Sequence, residues 1–391
     1  MKQTIIDLGM HPYADTFISA DQLNLCEPVY PLQCEMEEET GHVTLKYQTN
    51  PSERYNLYDY SYTSSNSKFS RDHWDSYAKD TLNKVSKVTN VLEIGSNDGY
   101  LLEQYQKNNI DVLGVDPSKY VAKLAKKRGI ETYCDIFDST TSESIKCVFG
   151  QFDLVVANNV FNHSNDPVDF AKGVKNILAD DGVFVFEVPY WYNTIVDHRF
   201  DQIYHEHISY FTVKSAVEIL KKAGLHVFDV DVVDYHGGSI RVYSKKSHAL
   251  QANVSNVTQL IDREHSAGLF DIKTYEKFMK DIKRQRANFL SDVYKISKSG
   301  APIVGVGAAA KGNTFLNFYN LDSTVIDYIT DASEHKIGKY TPLSRIPILD
   351  DKTVFDKYNE VYVIILSWNI SDILKEKLKA ISSAKLKFLT I

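Results

Sequence analysis

The stretch VLEIGSNDGY, residues 91–100, joins a short apolar run to a glycine-containing turn. Its first four residues are predicted to form a buried strand, because they are largely apolar and bounded by a turn signal. Gly95 and Gly99 can adopt turn conformations that other residues resist, and they let a ligand approach the backbone. A helical pattern begins at Tyr100, so the stretch predicts a strand, a tight turn and a helix.

Strand-like and helix-like segments alternate after this turn, which indicates a parallel sheet with crossover helices. A polar, helical stretch follows, and the alternation then restarts at PIVGVG, residues 302–307. We therefore predict an α/β protein with two Rossmann-like units and a small N-terminal domain. The predicted divisions are a small N-terminal domain (1–75), a cofactor-binding domain (76–245), a helical connector (246–298) and a C-terminal Rossmann-like domain (299–391).

The turn predicts a cofactor that lacks phosphate, since its ExGxxxG spacing from Glu93 differs from the GxGxxG pyrophosphate turn of dinucleotide-binding proteins. Glu93 and Asp98 supply negative charge, which suits the sulfonium and ammonium groups of S-adenosylmethionine. Asp116 ends the second strand and is expected to accept both ribose hydroxyls, and Asp135 is expected to meet the adenine amino group. Alternatively, the turn only packs a strand against a helix. The predicted cofactor residues are Glu93, Gly95, Asn97, Asp98, Gly99, Asp116, Pro117, Asp135, Asn158 and Asn159.

The stretch GVGAAAKGNT, residues 305–314, predicts a second site at the start of the C-terminal unit. Its glycines, a helix N-terminus and Lys311 would together cradle a phosphate. It differs from a Walker A loop, because Lys311 precedes the last glycine. A tight packing turn between strand and helix is the alternative. The predicted substrate-binding residues are His236, Gly237, Gly307, Ala309, Lys311, Asn313, Asp331, Trp368 and Asn369.

The stretch FDQIYHEHISYF, residues 200–211, concentrates acid–base groups. His205 and His207 are two residues apart, so in an extended segment they point to opposite sides and a shared metal is disfavoured. We expect one histidine to do acid–base chemistry beside Tyr204, with a structural histidine cluster as the alternative. Tyr60 and Tyr62 could also reach a polar pocket, or simply pack.

Composition indicates a globular protein of two or three domains, with 391 residues, 43% apolar residues and a net charge of −7. The mixed charges give no basic stripe for nucleic acid or a membrane surface, and no apolar run approaches the roughly 20 residues of a membrane span. The polar N-terminal stretch does not resemble a signal peptide. The four cysteines form no CxxC pair, so a reducing cytoplasm is expected.

The ordered motifs resemble the sugar C-methyltransferases that methylate carbon 3 of a nucleotide-linked 4-keto-6-deoxy sugar, such as the tetronitrose-type enzymes. They run from DLG (7–9) and YSYTSSNS (60–67) through the cofactor turn to DQIYHEH (201–207), HGGSIR (236–241), GVGAAAKG (305–312) and WN (368–369). The resemblance implies an active site of Tyr60 or Tyr62, His163, Tyr204, Glu206 and His207, with His207 as general base. It also implies that the C-terminal domain holds the nucleotide.

The chain departs from this family at the zinc site of the N-terminal domain. The family holds zinc with two CxxC pairs, whereas here Glu37 and Thr40 stand at the positions of the second pair, and the first would precede Asp7. Cys26 and Cys34 are wrongly spaced to replace them. We therefore predict no structural zinc.

These features together predict an S-adenosylmethionine-dependent C-methyltransferase, whose cofactor-binding unit is a class I methyltransferase Rossmann-like domain. We expect it to act on a dTDP- or GDP-linked keto sugar, as a monomer or a small homo-oligomer. In the expected mechanism His207 removes the proton beside the ketone, Glu206 orients the His207 ring, and Tyr204, His163 or a Tyr60 or Tyr62 hydroxyl stabilises the enolate. The alternatives are a nicotinamide-dependent oxidoreductase and a non-catalytic nucleotide-sugar-binding protein.

Overall fold

The computed structural model describes residues 1–50, 63–246 and 254–389. In chain order its strands are β1 (Lys2–His11), β2 (Tyr30–Glu37), β3 (Val43–Leu45), β4 (Asn90–Ile94), β5 (Asp111–Val115), β6 (Thr132–Tyr133), β7 (Phe152–Asn158), β8 (Leu178–Pro189), β9 (Ser209–Tyr210), β10 (Leu225–Val233), β11 (Ser239–Lys246), β12 (Ile303–Val306), β13 (Tyr328–Thr330), β14 (Ile348–Leu349), β15 (Glu360–Ile365) and β16 (Lys385–Leu389). Its helices are α1 (Lys68–Lys84), α2 (Tyr100–Gln106), α3 (Lys119–Lys127), α4 (Ser139–Phe149), α5 (Pro167–Ile177), α6 (Trp191–Val196), α7 (Val213–Ala223), α8 (Val254–Ser266), α9 (Ile272–Lys298), α10 (Ala310–Tyr319), α11 (Asp351–Phe355) and α12 (Ser371–Ile381).

The central sheet has seven strands in the order β10-β11-β8-β7-β4-β5-β6. Strand β11 runs antiparallel to both of its neighbours, and the other neighbouring strands pair in parallel. The first strand, β4, lies in the middle, and the strand order reverses between β4 and β7. This arrangement confirms the predicted class I methyltransferase Rossmann-like domain.

The C-terminal sheet has five parallel strands in the order β14-β13-β12-β15-β16. Its first strand, β12, is again central, and the order reverses between β12 and β15. The second Rossmann-like unit is therefore confirmed. In sheets of this kind ligands bind beyond the carboxyl ends of the strands, where the order reverses.

The N-terminal sheet is antiparallel, in the order β1-β2-β3-β9. Its last strand comes from much later in the chain, and Val43 pairs with Tyr210 and Thr44 with Ser209. Strand β9 follows His207 by one residue. The N-terminal sheet is thus tied to the segment that carries the predicted base.

Local sequence explains where several helices begin. Gly99 precedes α2 with φ 75°, and Pro167 occupies the first turn of α5. The Asp138 carboxylate accepts a hydrogen bond from the Thr141 backbone N–H at 2.7 Å, which caps α4. Such caps satisfy backbone donors that the helix itself leaves unpaired.

Four apolar clusters stabilise the fold within the part of the chain that the structure describes. Alternate residues of β4 face opposite sides of the central sheet, so that Leu92 and Val91 belong to separate clusters. A third cluster continues from the N-terminal sheet through α9 into the C-terminal unit, and it includes Leu32, Phe278 and Leu316. Among the described residues no helix is both long and apolar enough to cross a bilayer.

Candidate active site

The predicted cofactor turn lies at the carboxyl end of β4, where the strand order of the central sheet reverses. Gly95 has φ 72°, and a Cβ at this position would lie 2.1 Å from Cγ2 of Val160. Asn97 also has a positive φ, of 49°, which asparagine adopts more readily than most residues. At position 95, both the positive φ and the lack of space beside Val160 require glycine.

Glu93 is a buried carboxyl group whose Oε2 atom has no hydrogen-bond partner among the described residues. Burial raises its pKa well above the usual value, and the nearby carboxylates of Asp98 and Asp116 raise it further. On the adjacent strand β7, both side-chain amide atoms of Asn158 are also buried, and neither has a partner in the part of the chain that the structure describes. A cation with hydrogen-bonding groups, such as S-adenosylmethionine, fits these orphaned polar atoms.

Asp116 is held by backbone donors at the end of β5. Its Oδ2 accepts from the Asn97 N–H at 3.0 Å, and its Oδ1 accepts from the Ser118 N–H at 2.9 Å. Each oxygen retains a second lone pair for a ligand hydroxyl. Burial raises the pKa of Asp116 to about 6, while these two hydrogen bonds oppose the shift. Pro117 follows in the turn that leads to α3, half-buried.

Asp98 holds a neighbouring turn of the protein. Its carboxylate accepts hydrogen bonds from the Ser64 hydroxyl, at 2.7 Å, and from the Ser65 hydroxyl, and it pairs with Arg128 at 3.4 Å. The side-chain oxygen of Asn97 accepts from the Ser64 backbone N–H at 3.0 Å. The SSxS part of the tyrosine motif is thereby fixed to the cofactor turn. Tyr60 and Tyr62, in the same motif, lie outside the described residues.

Two further predicted cofactor residues make local contacts. Asp135 is exposed, and its carboxylate accepts from the Ile136 N–H at 2.8 Å. Asn159 has φ 54°, and its backbone N–H donates to the Glu187 carbonyl at 2.7 Å. Their contacts with the cofactor stay predictions.

His207 is buried and has a hydrogen-bond partner at each ring nitrogen. Nδ1 lies 3.1 Å from the Gln202 carbonyl oxygen and Nε2 lies 2.7 Å from the Tyr204 hydroxyl. Because a carbonyl only accepts, Nδ1 carries the hydrogen and Nε2 accepts from Tyr204. Burial, together with the positive charge of Lys311, lowers the pKa of His207 to about 3, and the hydrogen bond to the Gln202 carbonyl opposes this shift. The ring is therefore neutral near pH 7, as a base must be.

Glu206 does not orient this ring, so that part of the predicted mechanism is wrong. Both nitrogens of His207 are bonded to Gln202 and Tyr204, and the Glu206 carboxylate instead accepts from the Asp15 backbone N–H at 3.1 Å. His205 faces the N-terminal segment, where its Nδ1 lies 3.3 Å from the Pro12 carbonyl oxygen. The two histidines thus have different surroundings, as their spacing predicts.

His163 lies beside the base. Its short 3-10 turn, Phe161–His163, follows β7, and its ring centroid is 5.2 Å from that of His207. The Ile208 N–H donates to the Asn162 carbonyl at 2.9 Å, which joins this turn to the base segment. The structure therefore brings together His163, Tyr204 and His207. The side-chain amide of Asn162, which the sequence analysis missed, is buried, and neither of its atoms has a hydrogen-bond partner among the described residues.

In the C-terminal unit, Lys311 meets the WN pair. Its Nζ donates to the Asn369 Oδ1 at 2.5 Å and lies 4.7 Å from the centre of the Trp368 ring. Burial lowers the pKa of Lys311 to about 8, against the attraction of Asp201. Gly307 has φ 92°, and a Cβ there would lie 2.2 Å from Ser367 Oγ. These contacts close the loops after β12 and β15 onto each other.

Some of the backbone N–H groups of the predicted phosphate cradle already donate hydrogen bonds to other groups of the protein. The Asp331 carboxylate accepts from the Ala308 N–H at 2.7 Å, and the Ala309 N–H donates to the Gly307 carbonyl at 2.9 Å. Asn313 is buried, and its amide nitrogen donates to the Ala14 carbonyl at 2.6 Å. Phosphate contacts in this loop stay predictions.

The loop that carries His236 and Gly237 joins β10 to β11 and contacts the C-terminal unit. A Cβ on Gly237, which has φ 87°, would lie 2.3 Å from the Trp368 ring. Burial lowers the pKa of His236 to about 3, and the charge of Lys311 contributes. The segment that carries His207 and the predicted substrate-binding residues therefore adjoin. We call the meeting place the domain junction; it consists of His163, Tyr204, His207, His236, Lys311 and Trp368.

Three polar residues that contact the domain junction or its loops were given no role by the sequence analysis, although two of them lie in the DQIYHEH motif: Arg199, Asp201 and Gln202. Asp201 accepts from the Trp368 indole N–H at 2.6 Å, and the Gln202 amide donates to the His236 carbonyl at 2.7 Å. Their partners are far away in the chain, so spacing alone gave no signal. Among the described residues, no group of three or more His, Cys, Asp or Glu side chains is arranged to hold a metal ion.

Comparisons with known proteins match both α/β units. Residues 66–230 match the family described as a methyltransferase domain, and residues 234–391 match the C-methyltransferase C-terminal domain. C-methyltransferase NovU from Streptomyces niveus is 30% identical over 367 residues, which cover 93% of this chain and 87% of that protein. A ubiquinone biosynthesis O-methyltransferase from Haemophilus ducreyi is 29% identical over 99 residues, 24% of this chain and 42% of that protein.

Among solved structures, an S-adenosylmethionine-dependent methyltransferase from Clostridium acetobutylicum aligns with a TM-score of 0.37 and 17% identity, covering 46% of this chain and 92% of that one. The match to NovU is much longer, since it spans both α/β units. It favours the methyltransferase over the oxidoreductase and non-catalytic alternatives. The chain therefore belongs to the S-adenosylmethionine-dependent C-methyltransferases.

Proposed function

We propose that the protein methylates carbon 3 of a nucleotide-linked 4-keto-6-deoxy sugar, in the cytoplasm, as a step of branched deoxysugar biosynthesis. The observation that carries this proposal is the neutral, buried His207, paired with Tyr204 at 2.7 Å beside His163. A neutral imidazole can accept a proton, and methylation of the carbon next to a ketone requires removal of a proton from that carbon.

The chemistry follows from the acidity of a carbon next to a ketone, where the charge left by proton removal spreads onto oxygen. His207 is proposed to take the carbon 3 proton at Nε2. For this the Tyr204 hydroxyl moves from Nε2 to the ketone oxygen, where Tyr204 and His163 stabilise the developing enolate. S-adenosylmethionine, when bound, supplies the methyl group that the carbon receives.

The nucleotide is proposed to lie against the C-terminal sheet, where the order of β12 and β15 reverses. Lys311 and Asn369 are there to meet the diphosphate, and Lys311 stays largely cationic below its pKa of about 8. Both dTDP and GDP have the diphosphate that this arrangement requires. Contacts with the nucleobase therefore decide between dTDP and GDP.

Mass spectrometry tests the proposal directly. The full-length protein is incubated with S-adenosylmethionine and, separately, with dTDP- and GDP-linked 4-keto-6-deoxy sugars. We expect one of them to gain a single methyl group, which NMR locates at carbon 3. No gain on either sugar, or a methyl group at another position, would contradict the proposal.

Replacing the base tests its role. His207→Asn should reduce turnover by about 100-fold or more, because general-base catalysis contributes on that scale. Binding of S-adenosylmethionine, measured by calorimetry, should be unchanged. His226→Asn on the edge strand β10 is a matched control for a histidine elsewhere in the fold. Near-normal turnover of the His207 variant would remove it as the base.

A further inference from the structure

We infer that Trp368, Asp201 and Gln202 are positioning residues through which the C-terminal domain fixes the ring of His207. The inference rests on the proposed function for the role of His207 as a base. It also explains why His207 would depend on contacts with the C-terminal domain, which is proposed to hold the nucleotide.

Gln202 holds the His207 ring directly. Its backbone carbonyl accepts from Nδ1 at 3.1 Å, which fixes the tautomer that leaves Nε2 as the acceptor. The Gln202 side chain is itself held at both ends. Its Oε1 accepts from the Thr194 hydroxyl at 2.9 Å, and its Nε2 donates to the His236 carbonyl at 2.7 Å. The carbonyl therefore has little freedom to turn away.

Asp201 connects the same turn to the C-terminal domain. It precedes Gln202 within the 3-10 turn Phe200–Gln202, and only 5% of it is exposed. Its Oδ2 accepts from the Trp368 indole N–H at 2.6 Å. An ionised acceptor makes this hydrogen bond stronger than a neutral pair would. Holding Asp201 thus fixes the position of the Gln202 carbonyl.

Two cations contact the Trp368 ring and link it to the rest of the domain junction. The Arg199 guanidinium lies 4.5 Å and the Lys311 ammonium 4.7 Å from the ring centre. Arg199 also donates to the Gly237 carbonyl, and Lys311 to Asn369. A diphosphate that draws Lys311 and Asn369 toward itself would change the forces on Trp368, and hence on the base.

The test uses Trp368→Phe, which keeps an aromatic ring for both cations but removes the indole N–H. In protein labelled with ¹⁵N-histidine, the wild-type His207 ring should show protonated Nδ1 and unprotonated Nε2, with His207→Asn identifying the resonance. In Trp368→Phe we expect this single tautomer to become mixed. We also expect kcat to fall by about 10- to 100-fold, as small misplacements of a reacting group do, with the KM for S-adenosylmethionine unchanged.

Two comparisons show whether the effect is specific. Asp201→Asn keeps an oxygen that accepts from Trp368, so it should lose less activity than Asp201→Ala. Trp191→Phe removes another buried indole hydrogen bond, to the Tyr275 hydroxyl at 3.0 Å, and should lower thermal stability while leaving the His207 resonances unchanged.

The inference is wrong if Trp368→Phe keeps the wild-type tautomer and kcat, or if Trp191→Phe disturbs His207 equally. The NMR measurement requires no substrate. Failure of the wild-type protein to methylate a keto sugar would therefore count against the proposed function alone.

Discussion

Gly95 allows a sharp test of the cofactor turn at the scale of one residue. Gly95→Ala must accommodate both φ 72° and a Cβ 2.1 Å from Val160. We expect a loss of about 2–4 kcal/mol in unfolding free energy and a large loss of S-adenosylmethionine affinity. Denaturant titration and calorimetry measure the two effects.

Gly129→Ala is the matched control, because Gly129 has φ 80° but nothing within 4 Å of the added Cβ. It carries the conformational cost without the steric clash. Equal destabilisation by the two variants would show that the contact with Val160 relaxes freely.

The raised pKa of Asp116 predicts that cofactor binding depends on pH. Its raised pKa, about 6, means that it gains a proton as the pH falls through 6, and it then loses the charge that attracts a cationic ligand. Affinity for S-adenosylmethionine should therefore weaken from pH 7 to pH 5, with proton release on binding near pH 6. Calorimetry in buffers of different ionisation enthalpy measures both. Asp116→Asn should flatten the profile; a flat wild-type profile would contradict the prediction.

Sequence spacing predicts local arrangements, but it does not predict contacts between residues that are remote in the chain. The spacing of His205 and His207 was enough to separate their surroundings. It could not show that Gln202, rather than Glu206, orients the His207 ring, because a backbone carbonyl has no sequence signature. Asp98 illustrates the same limit, since its bonds to Ser64 and Ser65 depend on how the chain folds back.

At the scale of an element, helix α7 depends on a carboxylate from another helix. Glu264 of α8 accepts from the backbone N–H groups of Val213 and Lys214, at 2.5 and 3.1 Å, and from the Tyr190 hydroxyl at 2.9 Å. Glu264→Ala leaves these buried donors without their acceptor, and should cost about 3 kcal/mol of unfolding free energy.

Tyr190→Phe is the control for this cap, because it removes one donor and leaves the two backbone bonds of Glu264 in place. Its cost should be about 1 kcal/mol by the same denaturant measurement. Equal destabilisation by Glu264→Ala and Tyr190→Phe would contradict the prediction. It would show that the hydrogen bonds from the Val213 and Lys214 N–H groups to Glu264 contribute little to the stability of α7.

Long periodic elements were predictable from sequence, whereas the shortest strands were not. Strand β7 (Phe152–Asn158) and helix α3 (Lys119–Lys127) belong to the predicted alternation of strands and helices. Strand β9 has only two residues, too few to show an alternating pattern, and its partner β3 lies more than 160 positions earlier. Its place in the N-terminal sheet is set by tertiary packing.

At the scale of the whole molecule, one apolar cluster joins the N-terminal sheet, the connector and the C-terminal unit. Leu32 and Leu316 both belong to it, so β2 and α10 should open together. In hydrogen-exchange mass spectrometry we expect peptides from these two elements to show the same opening free energy, within about 1 kcal/mol. Strand β8, packed in a separate cluster, is the internal comparison. Much faster exchange in β2 would show that the N-terminal sheet opens alone.

The pairing of β9 with β3 has a practical consequence for recombining relatives of this enzyme. Ser209 and Tyr210 complete a sheet whose other strands lie within the first 45 residues, yet they follow directly after His207. A crossover point near residue 75 would join one parent's sheet to the other parent's edge strand and base. Chimeras should keep their function more often when residues 1–50 and 199–212 come from the same parent.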